Sequence, residues 1–131
     1  MKPSESDIKW CIENREFVNS LLEKRGGWQE GDWAVKDGEP GLVSPIRLLS
    51  DIWLPSEGDV LVMLRHPAPG HSDWIRLEYD FANGKHRAYF VALEQQGEVP
   101  TRLRQGGWLD KHGETPLIAL LELLRAVEGK G

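Results

Sequence analysis

Two histidines and an aspartate stand close together in Arg65-His66-Pro67-Ala68-Pro69-Gly70-His71-Ser72-Asp73. Imidazoles beside a carboxylate are a ligand set for zinc or another divalent cation. With His86 added, the same groups could serve acid–base catalysis in a small metal-dependent or acid–base enzyme. Against this, two prolines and a glycine mark the segment as a loop, where polar residues are ordinary. His66 and His71 lack the i, i+4 spacing that fixes a metal pair on a helix, and the single Cys11 leaves a structural zinc site short of thiolates. The expectation is a solvated or structural loop with no metal and no cofactor.

A second group is basic and aromatic. Thr101-Arg102-Leu103-Arg104-Gln105-Gly106-Gly107-Trp108-Leu109-Asp110-Lys111-His112, together with Lys85, His86 and Arg87, could form a patch for a nucleic acid or an acidic partner. The plainer reading is the solvated face of an edge strand, where charge discourages aggregation. The chain carries 21 acidic against 16 basic residues and a net charge of −5, which opposes a general grip on phosphate backbones. A nucleic-acid binder using Arg87, Arg102, Arg104 and Trp108 therefore stands as an alternative only.

Six tryptophans, Trp10, Trp28, Trp33, Trp53, Trp74 and Trp108, are a high count for 131 residues. Most are expected to fill core volume or close helix ends. Trp74 is the exception, because strict alternation sets it with Arg76 and Glu78 on the polar face of a strand. No Gly-x-Ser-x-Gly elbow, Walker-type loop or dinucleotide fingerprint occurs, and no pair of carboxylates can be singled out for acid–base work. Nothing in the sequence anchors an enzyme.

These residues must be held by a small fold. A length of 131 residues, 40% apolar and 28% charged, suits one ordinary globular domain spanning 1–131. Cys11 falls on the buried side of a helix and reads as a small core residue. The opening Met1-Lys2-Pro3-Ser4-Glu5-Ser6-Asp7 has no apolar signal region, and no apolar run approaches the ~20 residues that span a bilayer. A cytoplasmic location away from membranes is expected.

Ser4 and Ser6 are N-cap types, and Ile8, Cys11, Ile12, Val18, Leu21 and Leu22 recur at helical spacing before Gly26-Gly27. The pattern predicts one helix over Asp7–Arg25. Asp37-Gly38 between two short apolar pieces predicts a hairpin whose loop is longer than two residues. Ile46–Leu49 and Ile52–Leu54 are apolar, and Pro55 ends the second. Residues 56–65 read as a helix with Val60, Leu61, Met63 and Leu64 inward, or as a strand; periodicity leaves both open.

Trp74–Tyr79 alternates, with Ile75, Leu77 and Tyr79 on one face, and Asn83-Gly84 predicts a two-residue turn into Arg87–Leu93. Gln96-Gly97 turns again into Val99–Arg104, which Pro100 assigns to an edge. Thr115-Pro116 caps a helix over Leu117–Glu128, with Leu117, Leu120, Leu121, Leu124 and Val127 on one side and Gly129 as its exit. The fold class is α+β: an antiparallel meander covered by the N-terminal and C-terminal helices.

Three pieces, Gly27-Trp28 to Gly31-Asp32-Trp33, Trp53-Leu54-Pro55 and Glu114-Thr115-Pro116-Leu117-Ile118-Ala119-Leu120-Leu121, resemble those of small phage and prophage proteins of α/β/α-sandwich type that carry no assigned activity. The resemblance implies a fold and an origin, and a short third helix after Trp53-Leu54-Pro55. Gly58 departs from a good helix former there. The expected function is that of a phage- or prophage-derived accessory protein acting by protein interaction, not catalysis. Its partner is another chain or a second copy of this one, and Trp74, Arg102, Arg104 and Trp108 are the contact residues.

Overall fold

The computed structural model describes residues 3–43, 51–65, 74–96 and 99–130, the stretch 92–109 by its backbone. The chain gathers into two compact units, Met1–Ser56 and Glu57–Gly131. The α+β class holds for both.

The first unit opens with α1 (Glu5–Glu13) and α2 (Arg15–Arg25). Ser4 caps α1: its hydroxyl oxygen accepts from the Asp7 N–H at 3.2 Å. The single helix predicted over Asp7–Arg25 is broken at Asn14, where φ is −118° and ψ 34°. Both the Asn14 backbone N–H and its side-chain amide donate to the Trp10 carbonyl, at 2.9 and 2.8 Å. A short amide side chain that bonds the preceding turn competes with the helix ladder. The apolar stripe survives the break, because Cys11, Val18, Leu21 and Leu22 are all buried. Gly26 then ends α2 in the left-handed region, with Gly26 and Gly27 N–H groups donating to Glu23 and Leu22 carbonyls.

Strands β1 (Trp33–Lys36), β2 (Glu39–Leu42) and β3 (Ile52–Leu54) form an antiparallel sheet in the order β2-β1-β3. The hairpin loop is tighter than its sequence suggests. Lys36 pairs with Glu39, so Asp37 and Gly38 make the turn alone, at φ 51° and 81°. Positive φ at both positions is the type I′ geometry that fits the twist of two strands. Pro40 stands opposite Val35. The Val43 N–H donates to the Asp32 carbonyl at 2.8 Å, which makes 32:43, 34:41 and 36:39 the bonded pairs. Pro40 thus lacks its N–H on the outward side of β2, where no ladder needs it.

Every residue of β3 is buried. The helices pack against it, and Asn19 on α2 reaches its outer side. The Trp53 N–H donates to Asn19 Oδ1 at 3.1 Å, and Asn19 Nδ2 donates to the Asp51 carbonyl at 3.4 Å. A helix side chain therefore takes the bond that a fourth strand would otherwise take. The Trp53 ring is 0% exposed and lies 4.5 Å from the Arg25 guanidinium, which bonds Asp32 and the Gly27 carbonyl.

The second unit begins with α3 (Glu57–Met63), the helix that the Trp53-Leu54-Pro55 resemblance implies. Val60 and Leu64 are buried, whereas Leu61, expected inward, is exposed beside Val62. Seven residues give two turns, and the buried Val60 and Leu64 stand four residues apart on one face, with Leu61 and Val62 turned away from it.

Strands β4 (Ile75–Asp80), β5 (Lys85–Gln96) and β6 (Val99–Gly113) form the predicted antiparallel meander, in the order β4-β5-β6. The turn after β4 is wider than Asn83-Gly84 alone. Asp80 pairs with Lys85, so residues 81–84 make the loop, and the Gly84 N–H donates to the Asp80 carbonyl at 2.8 Å. β6 runs on to Gly113, well past the predicted Arg104, because residues 106–109 bulge opposite Phe90 alone.

The meander carries α4 (Pro116–Lys130), capped as expected by Thr115, whose Oγ1 accepts from the Ile118 N–H at 3.1 Å. Gly129 lies inside this helix and is not its exit. Leu117 to Leu121, Leu123 and Leu124 are all buried, a wider surface than the single stripe predicted. Each such leucine contributes roughly 1.5–3 kcal/mol by burial. The helix lies over β5 and β6. Gly113 permits the approach, since a Cβ there would stand 2.5 Å from the Ala119 nitrogen and 2.7 Å from Ile118 Cγ2.

Candidate interaction surface

Because α4 covers β5 and β6, the first strand of the meander extends beyond the helix. Ile75, Leu77 and Tyr79 do share a face, as alternation predicts, but that face is not the core. Leu77 is 38% exposed, Tyr79 44% and Ile75 is half-buried. Trp74, just before the strand, is 59% exposed, and Phe81, just after it, 88%. The Tyr79 ring meets Phe81 edge-on at 4.8 Å and His86 at 5.1 Å. The result is an apolar and aromatic ribbon along one sheet edge. Among the described residues no strand lies on the outer side of β4.

On the opposite face the meander is laced by charge. Arg87 on β5 donates from Nε to both Asp110 carboxylate oxygens, at 2.9 and 2.8 Å, and from Nη1 to Glu78 Oε1 at 3.0 Å. Its guanidinium lies 4.5 Å from the Tyr89 ring, and the Tyr89 hydroxyl is 3.4 Å from Glu78 Oε2. The Asp110 hydrogen bond, against the opposing effect of burial, holds the Arg87 pKa above its ordinary value. One arginine thus ties all three strands together. Within the sheet its guanidinium is held between Glu78 and Asp110.

The turn at the end of β4 is organised by Asp80. Its Oδ1 accepts from the Ala82 and Asn83 N–H groups at 3.0 and 3.3 Å, its Oδ2 from the Asn83 amide at 2.6 Å. His112 Nε2 stands 3.2 Å from the same Oδ2. These hydrogen bonds, the Asn83 side chain first, hold the Asp80 carboxyl below the usual carboxylate range against a smaller opposing effect of burial. The arrangement is an Asx turn, a way to close a loop.

The other sequence-predicted residues fall as follows. Trp74 is exposed as expected, and its carbonyl accepts from the Val91 N–H at 2.8 Å. β6 is an edge of its sheet, with Arg102 opposite Glu94 and Arg104 opposite Ala92 in the backbone register. The side chains of Arg102, Arg104 and Trp108, and all of His66, His71 and Asp73, lie outside the described residues. His86 is half-buried against Tyr79. Cys11 is fully buried, and burial, aided by Asp7, pushes its thiol up to about 12. Among the described residues no group of three or more His, Cys, Asp or Glu side chains is placed to hold a metal ion.

One further concavity lies within the first unit, a cleft of about 470 Å³ between α1 and the β1–β2 hairpin. Ile8, Ile12 and Pro40 line it beside Lys9, Glu5 and Glu39. Among the described residues no helix is long and apolar enough to cross a membrane. Comparison of the chain with protein-family models, with curated proteins and with solved structures finds no significant match.

Phe81, Tyr79 and Leu77 are exposed residues that the sequence reading did not single out. A signal was present: Phe81 sits inside a turn of Asp, Ala, Asn and Gly, where no core lies within reach.

Proposed function

We propose that the protein is a cytoplasmic accessory protein, of the phage or prophage kind its motifs resemble, that works by contact with protein chains and not by catalysis. One observation carries the reading: the edge of β4, which no strand covers among the described residues, is flanked by Trp74, Leu77, Tyr79 and Phe81, all exposed. Proteins usually blunt such an edge with proline, an inward charge or a covering loop, because it accepts another strand. Here the sequence from Trp74 to Phe81 contains no proline, and its aromatic groups are the residue types that anchor interfaces.

The test replaces Trp74, Tyr79 and Phe81 together by Ser. The expected outcome is a folded protein, with an unchanged far-ultraviolet spectrum, that no longer captures the chains co-purifying with the parent. A folded triple variant that keeps every partner overturns the reading.

A further inference from the structure

The geometry of β4 points to one occupant of its edge, and we propose that it is β4 of a second copy of this chain, paired antiparallel about a two-fold axis that passes midway between Leu77 and Leu77 of the second copy. The inference rests on the reading that the protein works by contact at this edge.

The backbone sets the first condition. The Val91 N–H donates to the Trp74 carbonyl, and β4 pairs with β5 without a register break from Ile75 to Asp80. In an antiparallel ladder, bonded and non-bonded pairs alternate. Trp74, Arg76, Glu78 and Asp80 therefore bond inward to β5, and Ile75, Leu77 and Tyr79 turn their N–H and C=O groups to the open edge. A second strand must meet those three residues with three that also point outward. A two-fold centred between residues fails, because it sets outward-bonding residues against inward-bonding ones.

Charge selects among the remaining registers. A centre at Arg76 sets two arginines opposite each other, and a centre at Glu78 sets two glutamates opposite each other; like charges directly across a ladder are destabilising. A centre at Leu77 sets Arg76 against Glu78 of the second copy, and Glu78 against Arg76. It also sets Ile75 against Tyr79, twice, and Leu77 against itself. The charged pairs then occupy the non-bonded positions, where opposing side chains approach closest. Arg76 can reach across, since its ion pair with Glu78 of its own strand is long, at 4.0 Å, and its side chain is 65% exposed.

Apolar burial agrees with this register. A two-fold perpendicular to the sheet keeps both helix-bearing faces on one side. The stripes of half-buried Ile75 and exposed Leu77 and Tyr79 on the two copies then line one trough, with an α4 beyond each side. The aromatic ribbon and the open ladder are satisfied by the same partner.

The test uses the full chain. Light scattering over a concentration series should give the dimer mass for the parent. Arg76→Glu alone and Glu78→Arg alone should each weaken the dimer about tenfold or more, from two symmetric repulsions. An equimolar mixture of the two variants should recover the dimer, because each strand then meets one of opposite charge. Should Glu78→Arg disturb Arg87 and fail to fold, Leu77→Cys decides. Bonded antiparallel partners lie about 5.5 Å apart at Cα, within disulfide reach. With oxidised glutathione as electron acceptor, the introduced thiols should cross-link two copies, while Ile75→Cys alone should not.

A parent that stays monomeric and a Leu77→Cys variant that does not cross-link overturn the inference, as does a dimer indifferent to both charge changes. A monomeric parent that still loses other partners in the Trp74, Tyr79 and Phe81 variant removes only the second copy, and leaves the contact reading standing.

Discussion

The outer edges of β3 and β4 pose the same problem to the chain and receive opposite treatment. Among the described residues each strand has a neighbour strand on one side only, and its outer side is met differently in the two sheets. At β3 a side chain from α2 supplies the missing partner: Asn19 accepts the Trp53 N–H, and Ile52, Trp53 and Leu54 are buried. At β4 the helix lies over β5 and β6, and the strand's apolar face is left half-exposed between an exposed Trp74 and an exposed Phe81. A closed edge is a stability device, since an unmet buried donor costs about 1–3 kcal/mol. An open apolar edge costs the monomer little but invites a partner. The two edges therefore differ in what meets them: a helix side chain at β3, and an exposed apolar ribbon at β4.

The comparison is broken most forcefully at Trp53. Trp53→Ala should cost about 3–5 kcal/mol in chemical denaturation, because a fully buried ring stacked on Arg25 is removed. Trp74→Ala should change the same midpoint by no more than about 0.5 kcal/mol, as expected of a surface position. Equal effects at the two tryptophans would erase the distinction between the edges. Asn19→Ala comes next, at about 1–3 kcal/mol, since it strands the Trp53 N–H without opening a large cavity. Hydrogen exchange at the Trp53 amide reads that loss directly, and an unaltered exchange rate would mean that Asn19 does not close β3.

Much of this was written in the sequence and part was not. The helix caps at Ser4 and Thr115, the meander, the hairpin at Asp37-Gly38 and the exposure of Trp74 follow from local chemistry: hydroxyl caps, period-two alternation and turn residues. Alternation also groups Ile75, Leu77 and Tyr79 on one face, but it cannot say that α4 lies over the other two strands and leaves them outside the core. That is a matter of helix placement, which depends on Gly113 meeting Ala119 and Ile118. The break at Asn14 was hidden for a related reason, since the apolar stripe runs through it unchanged and the competing bond to Trp10 is a side-chain choice. Arg87 shows the limit for sites. Its sequence neighbours, Lys85 and His86, suggest a basic patch, and only strand order brings Glu78 and Asp110 to either side of it.

The smallest effect is expected at the far end of β4, where Asp80 closes the turn that carries Phe81. Its carboxylate accepts hydrogen bonds from Ala82 and Asn83, which hold its pKa below the ordinary carboxylate value of about 3.9. A carboxyl lowered on folding stabilises the native state at every pH above its unfolded value, and that contribution fades as pH falls through the lower, folded value. The β4–β5 turn should therefore hold unchanged through mildly acidic conditions and loosen only at stronger acidity. Asp80→Asn keeps an oxygen acceptor but removes the charge, so it should flatten this acid limb while leaving the midpoint near neutrality little changed. Because the turn is exposed, the difference is one of slope, read as the amide exchange of Gly84 against pH in parent and variant. If the two exchange profiles coincide down to strongly acid solution, the Asp80 carboxylate does not organise the turn. The orientation of Phe81 at the open edge would then need another cause.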